Sequence, residues 1–151
     1  MSKRESVEGR SEVLVDADVL FAYLVGDHLA NFSEKLLTRA EEGSLRIHVA
    51  SEIFDDIVTG LRSDSVSIQT IIELVEDLRK ITHVVLPTTV DIIAEAMKLY
   101  LSYGGSRKLH YFDSFHVATA KLHDLPLVTS DRFILHNSHR MGIIAIDLRS
   151  V

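Results

Sequence analysis

Apolar positions along the chain fall into two recurring patterns. Short, nearly continuous apolar runs at 13–15, 45–49, 83–86, 125–130 and 142–146 predict five strands, since strands covered on both faces lose the polar half of the usual alternation. The run at 45–49 alternates in part, and the one at 83–86 is stopped by Pro87. Between them, apolar residues recur at helical spacing over 19–24, 31–42, 52–61, 66–81, 89–101 and 111–122, with a short helix predicted at 133–136. Local signals support several boundaries: Gly43 as a C-cap, Ser51 as the cap of the helix from Glu52, and Thr88 or Thr89 as the cap of the next but one. In the helix at 52–61, Ile53, Ile57 and Leu61 form the buried stripe, and in the helix ending at Leu101 the expected buried set is Val90, Ile93, Ala94, Met97 and Leu101. Strands alternating with helices throughout predict an α/β sandwich around a mostly parallel sheet.

One helix is unlike the others. Over 111–122, Phe112, Phe115, Val117, Ala118, Ala120 and Leu122 leave almost no solvated face, which marks a helix packed inside the protein. Asp113 nevertheless sits in its first turn, where an N-terminal cap and a functional carboxylate are both consistent with the pattern. Three further segments deliver an aspartate to the edge of an apolar element. Asp16 and Asp18 follow the first strand, with either available to cap the next helix; Asp131 follows the fourth. At about 100° per residue, Asp56 borders the stripe of its helix while Asp55 points away from it. In a parallel sheet, strand C-termini and the N-termini of the following helices share one edge, so Asp16, Asp56, Asp113 and Asp131 can converge on one cleft.

Composition narrows the chemistry. With 151 residues, 46% of them hydrophobic, the chain suffices for one core, expected over residues 12–151 behind a flexible polar arm at 1–11. There is no cysteine, hence no disulfide, thiol nucleophile or Cys-based zinc site. No apolar run approaches the roughly 18–20 residues of a spanning helix, and half of residues 1–12 are charged, unlike a signal peptide, so a soluble, cytoplasmic protein without a membrane is expected. The net charge of -6 gives no overall attraction to nucleic acid; a polyanion would need a local basic patch or metal ions. Four carboxylates in one cleft disfavour each other's ionisation. A divalent cation removes that repulsion, and oxygen ligands suit Mg²⁺ or Mn²⁺.

The segments Val13-Leu14-Val15-Asp16-Ala17-Asp18-Val19-Leu20, Asp56 with Gly60-Leu61, Asp113-Ser114-Phe115-His116-Val117-Ala118-Thr119-Ala120 and Leu127-Val128-Thr129-Ser130-Asp131 together resemble the PIN-domain family, with the VapC-type toxin ribonucleases as nearest kin. The resemblance spans roughly residues 13–146. It implies a three-layer α/β/α fold with a five-stranded parallel sheet. It also implies a metal-dependent endoribonuclease that uses Mg²⁺ or Mn²⁺, a homodimer, RNA as substrate and, for a toxin, an antitoxin partner. Asp16, Asp113 and Asp131 match family acids, as does Asp56 at a position that usually holds glutamate, one methylene longer. Asp18 falls where asparagine is common and is expected as a cap, while Thr129 and Ser130 are expected to orient Asp131 or a water.

Other readings stand beside this one. Asp16-Ala17-Asp18-Val19 also fits the first motif of haloacid-dehalogenase-like phosphatases, but no acidic pair follows Asp131. A PIN fold that no longer cuts and serves as an RNA-binding or scaffold module is a second alternative. Arg107, Lys108 and Arg132 are the cations nearest in sequence to the acids, equally consistent with RNA contact and with ordinary solvated side chains. His116 is assigned to the core, as a lone histidine on an apolar helix.

Overall fold

The computed structural model describes residues 5–151. Its strands are β1 (Glu12–Val15), β2 (Arg46–Ala50), β3 (Val84–Leu86), β4 (Leu127–Thr129) and β5 (Ala145–Asp147). Its helices are α1 (Ala17–Val25), α2 (Ala30–Glu41), α3 (Ile53–Ser63), α4 (Ile68–Leu78), α5 (Val90–Tyr103), α6 (Tyr111–Leu122) and α7 (Arg132–Met141), with a last 3₁₀ turn at Leu148–Ser150. The strands form one all-parallel sheet in the order β3-β2-β1-β4-β5, the five-stranded architecture expected. From β1 the chain builds outward to β2 and β3, then returns to the other side of β1 for β4 and β5. In sheets of this kind ligands bind at such a reversal, beyond the C-terminal ends of the two strands, here β1 and β4.

Alternation along β1 shows why its apolar run is unbroken. Val13 and Val15 enter the core shared with α1–α4, whereas Leu14 enters the second core, with residues of α5, α6 and α7. β4 divides its residues in the same way, Val128 to the first core and Leu127 to the second. Helix α6 lies in this second layer, with every residue from Ser114 to Ala120 buried, as its all-round apolarity requires.

Three local expectations are corrected. Helix α5 buries Ile92, Ala96 and Leu99 against α6 and leaves Val90, Ile93, Met97 and Leu101 exposed, Val90 by 80% and Leu101 by 88%. The helix is apolar on two faces, and periodicity does not say which of them meets the sheet. Ser51 does not cap α3; its hydroxyl pairs with Thr88 and accepts the Thr88 N–H, tying the end of β2 to the end of β3, while Thr89 caps α5. Helix α7 is ten residues rather than four and ends at Gly142, whose left-handed φ of 81° favours glycine. Gly142 is therefore a cap and not the start of β5. Of the arm expected at 1–11, residues 1–4 lie outside the described residues; beyond them Val7 is buried in the first core and accepts the Arg10 N–H.

Candidate metal centre

All four acids lie at the C-terminal edge of the sheet. Asp16 is the residue after β1, Asp131 lies two residues beyond β4, and Asp56 and Asp113 stand in the first turns of α3 and α6. The edge gathers them in two adjoining groups: Asp16, Asp56 and His116, and His110, Asp113 and Asp131, each with potential ligand atoms within 4.8 Å of one another. The groups feel each other, since the charge of Asp113 acts on Asp16 and that of Asp56 acts on Asp113.

Each carboxylate is held in place by at least one hydrogen bond. Asp16, buried, is the N-cap of α1: Oδ1 accepts the Ala17 N–H and Oδ2 accepts the Thr129 hydroxyl at 2.7 Å. Asp113 closes a capping box by accepting the His110 N–H at 3.1 Å. Asp131 caps α7 through the Ile134 N–H at 3.0 Å. Asp56 accepts from His116 Nε2 at 2.8 Å. Among the described residues, bonds of this kind anchor one oxygen of Asp56, Asp113 and Asp131 and leave the other uncommitted. The capping reading and the site reading of Asp16 and Asp113 are thus compatible, because a carboxylate has more lone pairs than a cap consumes.

Asp18 is not the cap it was expected to be. Its Oδ2 accepts both the N–H and the hydroxyl of Ser130, and its Oδ1 is buried with no partner among the described residues. Thr129 and Ser130 accordingly orient Asp16 and Asp18; toward Asp131, Thr129 accepts only the backbone N–H. His116, assigned to the core by sequence, is fully buried but points into the acids, with Nε2 also 3.8 Å from Asp16 Oδ1. Its one visible signal in the sequence is its place one helical turn after Asp113. Arg149 also escaped notice, since it is remote in sequence; its guanidinium donates to the carbonyl of Ser130 and to Asp147.

The electrostatics are those of crowded, dehydrated anions. Burial pushes the Asp16 carboxyl up to about 7, and the charge of Asp113 adds to the shift. Burial likewise raises Asp18 to about 7, helped by Asp16. Burial raises Asp113 to about 7, with Asp131 and Asp56 acting in the same sense against the opposing pull of His116. Burial pushes the His116 imidazole down, but Asp56, Asp16 and Asp113 together hold it above its ordinary value. One imidazole does not neutralise this cluster. The donor set of the two groups, mostly carboxylate oxygens, fits a hard divalent cation.

The expected basic residues lie at the surface. Arg107 and Lys108 are exposed on the turn leading into α6, and Arg132 is exposed at the start of α7.

Comparison with known proteins agrees with this geometry. The PIN domain family matches residues 13–137. Among solved structures, FitAcB from Neisseria gonorrhoeae shares the fold at 15% identity, covering 92% of this chain and 99% of that one, with a TM-score of 0.65. VapBC2 from Rickettsia felis, solved bound to a DNA fragment from its promoter, does so at 11% identity, with coverage of 90% and 98% and a TM-score of 0.64. VapBC-5 from Mycobacterium tuberculosis, a member of the VapBC family of toxin–antitoxin systems, is similar at 14% identity, with coverage of 91% and 99% and a TM-score of 0.59. No curated protein matches the chain.

Proposed function

The chain belongs to the PIN domain family, and on that premise we propose that it is a divalent-metal-dependent endoribonuclease. The observation that carries the proposal is the set of carboxylates, Asp16, Asp56, Asp113 and Asp131, anchored at one crevice with Asp16 and Asp113 raised by burial and mutual repulsion. Family membership replaces the haloacid-dehalogenase-like reading of Asp16-Ala17-Asp18. The retention of every acid, each with a hydrogen-bond anchor, favours a cutting enzyme over a scaffold. Bound by these acids, Mg²⁺ or Mn²⁺ would supply positive charge to the scissile phosphate and lower the pKa of an attacking water. The protein's own part is to hold the acids rigid: Thr129 fixes Asp16, His110 fixes Asp113, and the first turn of α7 fixes Asp131. RNA as the substrate follows the resemblance to VapC-type ribonucleases. The direct test is a divalent-ion titration of nuclease activity on a mixed RNA pool.

With a net charge of -6, the RNA backbone has to be met by local cations, and Arg107 and Lys108, exposed on the turn leading into α6, and Arg132, exposed at the start of α7, are the candidates. Neutralising Arg107 and Lys108 together is expected to weaken RNA binding and to flatten the log–log salt slope by about 1.4 for a single strand, two phosphate contacts being lost. An unchanged slope in a filter-binding titration removes them from the interface.

Partners follow the same line. The exposed Val90, Ile93, Met97 and Leu101 face of α5 supports a homodimer, because contiguous exposed apolar faces are interaction sites far more often than solvated ones. Ile93→Glu with Leu101→Glu should convert a dimer into a monomer in sedimentation equilibrium with an unchanged far-UV circular dichroism spectrum, and should remove any dependence of the melting temperature on protein concentration. A wild type that sediments as a monomer overturns the assignment. The toxin–antitoxin structures that share the fold support an antitoxin-type protein partner.

A further inference from the structure

The imidazole of His116 is buried on α6, with Nε2 2.8 Å from Asp56 Oδ2 and Nδ1 buried without a partner among the described residues. Two roles are open to an imidazole in this position, metal ligand and hydrogen-bond donor, and they require different tautomers. A ligand histidine presents a bare nitrogen to the metal and gives its other N–H to a fixed acceptor, which sets the ring. Here ligation through Nε2 would move the proton to Nδ1, where no acceptor waits, leaving a buried donor unpaired at full desolvation cost. The donor tautomer keeps the proton on Nε2, in line with Asp56, and leaves only a lone pair on Nδ1.

Asp56 needs such a partner. Its side chain is 24% exposed at the rim, and His116 is its one side-chain hydrogen-bond partner among the described residues. Without a partner, a carboxylate in the first turn of a helix is free to rotate toward solvent. Asp56 also stands where the resemblance expects glutamate, so it lacks one methylene of reach. We infer that His116 is a positioning residue, whose Nε2–H holds the short Asp56 carboxylate turned inward toward the metal-binding acids. This rests on the reading of those acids as a divalent-cation site, and it adds to that reading a residue that acts through Asp56 rather than on the metal.

The test has two arms. In the wild type loaded with Mg²⁺, ¹⁵N NMR of the histidines should find His116 Nε2 still protonated; transfer of the proton from Nε2 to Nδ1 on loading would make it a ligand and overturn the inference. In calorimetry with Mn²⁺, His116→Leu should weaken binding by about 10–100-fold, the usual cost of losing an outer-shell partner. His116→Gln should stay within about threefold of wild type, because its amide N–H reaches Asp56 while its neutral side chain preserves the donor. In an Asp56→Glu background, whose longer acid reaches unaided, the His116→Leu penalty should shrink to about threefold or less, a coupling that a merely structural histidine would not show. Equal losses in Leu and Gln variants that persist with Asp56→Glu would overturn the inference, as would no loss at all. If His116→Leu does not fold, the tautomer and the Gln variant decide. Failure of the wild type to bind Mn²⁺ would be a different result, ending the metal reading itself and the inference with it.

Discussion

Asp113→Asn is expected to lower RNA cleavage by about 10²–10³-fold, the scale of losing one charge-stabilising group at a reacting centre. EDTA should abolish cleavage by the wild type, and Mn²⁺ should restore it. The ends of the cut RNA should carry a 5′-phosphate and a 3′-hydroxyl, because water attacks in line and the 3′-oxygen departs. The competing chemistry, in which a histidine takes the proton of the ribose 2′-hydroxyl, leaves a 2′,3′-cyclic phosphate and survives EDTA. The histidine that the sequence places best for it, His116, is fully buried and turned to Asp56, out of reach of a ribose. Mapping the ends with wild type, Asp113→Asn and His116→Ala, in Mn²⁺ and in EDTA, separates the two. Cyclic ends, or EDTA-resistant cleavage dependent on His116, would overturn the assignment of the acids.

The metal-free protein should grow less stable as pH rises from about 4 to about 7. Asp16, Asp18 and Asp113 are each raised from 3.8 to about 7 in the folded state. Between those limits the folded protein retains protons that the unfolded chain has released, so the slope of stability with pH is negative. The contribution is fully present below the unfolded pKa, is lost as pH passes through the folded one, and changes little above it. A loss of even 2 kcal/mol would lower the melting temperature by about 4–8 °C in a domain of this size. Mn²⁺ at millimolar concentration should remove most of the drop, since it binds the ionised acids of the folded state alone, and Asp113→Asn should blunt that rescue. A metal-free melting temperature that climbs between pH 5 and 8 would show that the acids ionise freely, and a flat response to Mn²⁺ would deny them a cation.

The alternation of strands and helices, the central helix and the edge on which the acids meet were all legible in the chain. Burial on both faces of a parallel strand writes itself as an unbroken apolar run, as at Val13-Leu14-Val15, and the residue that ends the run is placed at the sheet edge by that fact alone. Asp16 and Asp131 were therefore located by their position after a strand, and Asp113 by its conflict with an apolar helix. Other features only the tertiary structure decided. Periodicity finds an apolar face but not the neighbour that covers it, so α5 turned Ile92, Ala96 and Leu99 inward and left the predicted face outside. Hydrogen-bond partners distant in sequence have no local signature. Asp18 meets Ser130 across 112 positions and His116 meets Asp56 across 60, so an expected cap and an expected core residue each became part of the acid cluster. Local pattern records how much of each element is buried; which polar groups then face each other is set by the packing of elements far apart in the chain.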